Sequence, residues 1–76
     1  MDIAKLVRMA NQIGTFFQAM PDHAEAVEGI AQHLQKFWEP RMRREFLAAL
    51  EAGHEETAGL LPIVKEAVEA RRLTLQ

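Results

Sequence analysis

The stretch HLQKFWEPRMRREF, His33–Phe46, reads as helix on both sides of a proline. The residue before a proline is pushed away from helical angles, so Glu39 is the junction and Pro40 the first residue of a new helix. One long helix is thereby excluded. Adjacent Phe37 and Trp38 cannot both point fully inward from one helix, and an interface reading leaves one of them for a partner. Arg41, Arg43 and Arg44 occupy the first turn after the break, where the helix dipole disfavours each cation by about 0.3–1 kcal/mol. Open backbone N–H groups beside guanidinium forks suit a carboxylate or a phosphate. A packing account is equally available at this point. In that account both aromatics fill the core, Arg41 pairs with Glu45 four residues on, and Arg43 and Arg44 are ordinary surface cations.

Working outward, helical spacing continues in both directions. Ile3, Leu6, Val7, Ala10, Ile13, Phe17 and Met20 form the stripe of a first helix over about 3–20, with Asp2 as N-cap and Pro21 as its stop. Asp22 followed by Glu25 has the form of a capping box and opens a second helix, about 22–38, with Val27, Ile30, Ala31 and Leu34 inward. The third helix, about 40–52, buries Met42, Phe46, Ala49 and Leu50 and stops at Gly53. His54 to Gly59 is polar and aperiodic, hence a loop. Pro62 starts a last helix, about 62–72, with Ile63, Val64, Ala67 and Val68 inward and a frayed tail after it. The expectation is one domain over 1–76, an all-α bundle of three to four short helices. Gly14 and Gly29 each cost a helix roughly 1 kcal/mol, which a close approach of the first two helices would offset.

A chain of 76 residues has a small core, and such chains rely on disulfides, metals or partners. With no cysteine, disulfides and thiolate sites are excluded, leaving a partner as the expected support. The formal charge of −2 speaks against a dedicated DNA-binding surface. No apolar run reaches a membrane-spanning length, and Met1-Asp2 does not open a signal peptide, so the expected setting is the cytoplasm, away from membranes.

Serine, cysteine and tyrosine are all absent, which removes the commonest nucleophiles. His23, His33 and His54 are scattered and match no metal-ligand spacing. Glu55 and Glu56 are adjacent in a polar segment with nothing to raise a carboxyl pKa. The expectation is a chain that is no enzyme by itself, with no catalytic, cofactor or metal residues. A second candidate surface lies on the first helix, where Lys5, Arg8, Asn11 and Gln12 form a polar face and Phe16 stands off the apolar stripe.

Three segments, KLVRMANQIGTFF (Lys5–Phe17), IAQHLQKFWEPRMRREF (Ile30–Phe46) and LLPIVKEAVEA (Leu60–Ala70), resemble the delta subunit of NAD-dependent, molybdenum-containing formate dehydrogenases. The most specific element is FW-x-P-R-M-R, carried by Phe37, Trp38, Pro40, Arg41, Met42 and Arg43. Where that family commonly has aspartate before the proline, this chain has Glu39, a weaker cap. The resemblance implies a non-catalytic accessory subunit that supports assembly, stability or maturation of the molybdenum-bearing large subunit. The bis-pterin molybdenum centre, iron–sulfur clusters, FMN and NAD are then expected in partner subunits, with no cofactor in this chain.

The expected docking surface has Phe37, Trp38, Pro40 and Met42 at its apolar centre. Arg41, Arg43 and Arg44 would meet acids on the large subunit, with Phe16 and Arg8 as a second contact. A variant gives the arginines the phosphates of the pterin cofactor during insertion. Rival readings are a homodimer of the isolated chain and, from another class, a small nucleic-acid-binding module.

Overall fold

The computed structural model describes residues 2–76. Its helices are α1 (Ile3–Phe17), α2 (His23–Phe37), α3 (Pro40–Ala52), α4 (Pro62–Ala70) and α5 (Arg72–Leu75), with a 3-10 turn at Glu55–Gly59. No strand occurs among the described residues, and the all-α expectation holds.

Each boundary has a local cause. Asp2 caps α1 by accepting from the Ala4 N–H, and Asp22 caps α2 by accepting from the Glu25 N–H. The first helix ends at Phe17, earlier than its apolar stripe implied. Pro21 disfavours helical angles at Met20 and has no N–H to give the Phe17 carbonyl, which takes the Met20 N–H in a tighter turn instead. At the central break Trp38 and Glu39 are both extended, with ψ of 137° and 146°, and Pro40 stands at the start of α3. Gly53 takes φ 69°, the left-handed region, while the His54 N–H reaches the Ala49 carbonyl and the Gly53 N–H that of Leu50. This is a Schellman stop, and it needs glycine there.

Two expectations are corrected. The segment after Gly53 is no open loop: the His54 ring accepts from the Glu56 N–H, and the buried Thr57 hydroxyl donates to the His54 carbonyl at 2.6 Å. Local side-chain bonds of this kind hold a 3-10 turn without any apolar period. Nor is the tail frayed. Leu75 is 2% exposed and joins the core, so α5 folds back across α2, α3 and α4.

The core is a single cluster drawn from all five α-helices, with Leu6 and Ala10 of α1, Ile30 and Leu34 of α2, Phe46 of α3, and Val64 and Val68 of α4 fully covered. The Cα radius of gyration, 11.2 Å, fits a fully packed chain of this length. Asn11 ties α1 to the segment before α4, donating to the Gly59 carbonyl at 3.0 Å and accepting from the Leu61 N–H at 2.9 Å.

The two helix glycines are explained by packing, though not by facing each other. A Cβ on Gly14 would stand 2.5 Å from Cγ2 of Val64, so its neighbour is α4. A Cβ on Gly29 would stand 2.5 Å from the Phe17 ring, so there α1 does lie on α2.

Peripheral contacts join the helices: a His23–Glu66 hydrogen bond at 2.8 Å, and ion pairs of Arg71 with Glu28 and of Arg72 with both Glu51 and Glu69. Its hydrogen bond to Glu69, with the charges of Glu69 and Glu51, raises the Arg72 pKa above an already high value, so that side chain stays cationic.

Candidate interaction surface

The proline junction divides its residues between interior and surface. Trp38 turns inward: it is 6% exposed and meets Phe46 edge-on, with ring centroids 5.4 Å apart. The expectation that Trp38 offers its ring to a partner is therefore corrected, because the extended backbone after α2 rotates it into the gap between α2 and α3. Phe37, one residue earlier and still helical, is 72% exposed.

Arg43 is likewise used by the fold. Its Nη1 donates to the carbonyls of Trp38 at 2.7 Å and Gln35 at 2.9 Å, and its Nε to that of Leu75 at 3.1 Å. These carbonyls belong to the C-terminal end of α2 and to Leu75 of α5, and the last carbonyls of a helix lack intrahelical donors. A guanidinium fork can satisfy several at once, and the cation suits the negative end of the α2 dipole. Half-buried, Arg43 thus commits Nε and Nη1 to backbone carbonyls of its own chain. Met42 is half-buried against the core. Pro40, Arg41 and Arg44 remain on the surface, Arg41 lying 3.7 Å from Glu45 in a loose i,i+4 pair.

What the fold does assemble is an aromatic face across α1 and α2. Phe16, also 72% exposed, stands edge-on to Phe17 with centroids 5.1 Å apart. The Phe17 ring covers Gly29 and lies 6.3 Å from the His33 ring, which in turn lies 4.8 Å from Phe37. Gly29, His33 and Phe37 are four residues apart and so share one stripe of α2. The absence of a side chain at Gly29 leaves room for Phe17 to link the two helices.

Around these rings the surface is concave. One depression of about 330 Å³ is lined by Gln12, Ile13, Phe16, Phe17 and His33. A second, of about 180 Å³, shares Phe17 and His33 and extends past Gly29 and Gln32 to Lys36 and Phe37. Arg8, with Asn11, Gln12 and Thr15, borders a further one of about 420 Å³ that shares Gln12 with the first.

Of the residues expected at an interface, Phe16, Phe37 and Arg8 thus fall on one continuous side of the molecule. Trp38 and Arg43 do not join them. His33, Phe17, Gly29 and Lys36 belong to the face and were not singled out as interaction residues in the sequence. The i,i+4 series Gly29, His33, Phe37 was the available signal.

Among the described residues no three His, Cys, Asp or Glu side chains converge as a metal site, and no helix is long and apolar enough to cross a membrane. The class so defined is a small all-α domain with an exposed aromatic face. The chain belongs to the FdsD family, the NADH-dependent formate dehydrogenase delta subunit, whose family model matches residues 5–68. That span runs from the first turn of α1 through most of α4, with the whole aromatic face inside it. As a delta subunit it is a component of a formate dehydrogenase complex, with the other subunits as its partners. No curated protein and no solved structure matches the chain.

Proposed function

We propose that this delta subunit is a non-catalytic accessory chain that docks on the complex, most directly on the molybdenum-bearing large subunit, and supports its assembly, stability or maturation. The observation that carries the reading is the pairing of Phe16 and Phe37, each 72% exposed, on one concave aromatic face. Large exposed apolar groups clustered together mark an interaction site, and aromatic anchors in depressions are the usual energetic centres of interfaces. The cysteine-free sequence supports the same division of labour, since iron–sulfur clusters are held by thiolates. Molybdenum, cluster, flavin and NAD chemistry is accordingly assigned to the partner subunits, in the cytoplasm.

Two measurements test this. A tagged chain recovered from its host grown on formate should bring down the large subunit with its iron–sulfur and flavin partners; recovery of the tagged chain alone would refute docking. In cells lacking the chain, the yield of molybdenum-loaded large subunit should fall while turnover per bound molybdenum stays unchanged. A fall in turnover per molybdenum would make the chain part of the catalytic machinery instead.

A further inference from the structure

The three depressions of the aromatic face adjoin in series, and their charges are of one sign. Arg8 borders the first and Lys36 the last, while Gln12, Phe16, His33 and Phe37 lie between them. No carboxylate lines any of the three, although the chain carries 11 acidic residues against 9 Lys and Arg. Two acids of α2 stand just outside the last depression: Glu28, paired with Arg71 and accepting from Gln32, and Glu25, four residues before Gly29. The surface therefore has an apolar centre with a cation at each end, on a chain that is acidic as a whole.

Resting on the docking reading above, we propose that this face receives an acid-flanked apolar segment of another subunit. The partner's aliphatic or aromatic side chains would lie over Phe16 and Phe37, and its carboxylates toward Arg8 and Lys36. Charge complementarity selects this occupant, because such rim pairs steer encounter and set register while the buried aromatics supply the affinity. A second copy of the chain fits worse. A two-fold axis through the middle of the face would set Arg8 against Lys36 of the other copy, cation on cation.

The test uses the whole complex with Phe16 or Phe37 replaced by p-benzoylphenylalanine, followed by irradiation and sequencing of the cross-linked peptide. The expected product is a segment of another subunit with Asp or Glu within a few residues on both sides of apolar ones. A cross-linked segment without such acids, a link to a second copy, or no product from a chain that still co-purifies would overturn the proposal while leaving the accessory role intact. Loss of co-purification in the unsubstituted chain would overturn the accessory role itself. In parallel, the folded double variant Arg8→Glu, Lys36→Glu should dissociate from the complex at least about tenfold more readily, and raising salt should narrow the difference. Equal retention of that variant and the native chain at low salt would also overturn it.

Discussion

Arg43 donates to the carbonyl of Trp38 at 2.7 Å and to that of Leu75 at 3.1 Å, so one guanidinium joins the central helix break to the end of the chain. Two features that looked independent in the sequence, the proline junction and the C-terminal turn, are thereby one structural unit. Arg43→Ala should cost about 2 kcal/mol, as several carbonyls lose a charged donor. Arg43→Lys should recover little of this, because an ammonium lacks the fork. Urea denaturation would measure both, and amide exchange should show residues 72–76 opening first.

Trp38 and Phe37, adjacent in sequence, should respond in opposite ways. Trp38→Ala empties a buried site against Phe46 and should destabilise by about 3–5 kcal/mol, a large share of what so small a core supplies. Phe37→Ala, at an exposed position, should stay within about 0.5 kcal/mol of the native chain. Paired thermal melts check this. A stable Trp38→Ala chain would contradict the buried placement.

Retention in the complex should show the reverse order. Phe16→Ala with Phe37→Ala removes both exposed rings and should weaken docking by about 2 kcal/mol or more if they are interface anchors. The readout is co-purification from the host at matched expression, with unchanged melting as the control for folding.

Gly14→Ala should destabilise despite the gain of about 1 kcal/mol in helix propensity. The new methyl would meet Val64, fully buried and stiff at χ1, and the resulting overpacking costs about 1–3 kcal/mol. Gly29→Ala presses on the half-exposed Phe17 ring instead, which has room to swing outward. It should change stability less and disturb the aromatic face more, a difference that chemical shifts of the His33 ring would report.

Asn11→Ala should cost about 1–3 kcal/mol, because the part-buried Leu61 N–H loses its acceptor and α1 its tie to the Gly59 carbonyl. Denaturant titration gives the magnitude, and faster exchange of the Leu61 amide would locate it.

Much of this architecture is written in local chemistry. Pro40 after Glu39, the Asp2 and Asp22 caps, Gly53 and Pro62 are short-range instructions, and the periodic apolar residues between them name most of the core, though not Trp38, Leu47, Leu60 or Leu75. The family resemblance, carried by contiguous segments, was legible for the same reason. What the sequence left open were choices that depend on three-dimensional neighbours. Phe37 and Trp38 compete for one inward direction, and the outcome rests on two extended residues that turn the tryptophan toward Phe46. Arg43 reads as one of three equivalent cations until α5 brings the Leu75 carbonyl within its reach. The aromatic face combines Phe16 and Phe17 of one helix with His33 and Phe37 of another, joined where Gly29 leaves room for the Phe17 ring. By itself the sequence determined the four longer helices, their starts and most of their inward stripes, because those follow from interactions within a few residues, whereas the early end of α1, the 3-10 turn and α5 emerged only in the fold. Which aromatic and which arginine face the outside was decided only by tertiary packing, since burial of a side chain is settled by residues far away in the chain.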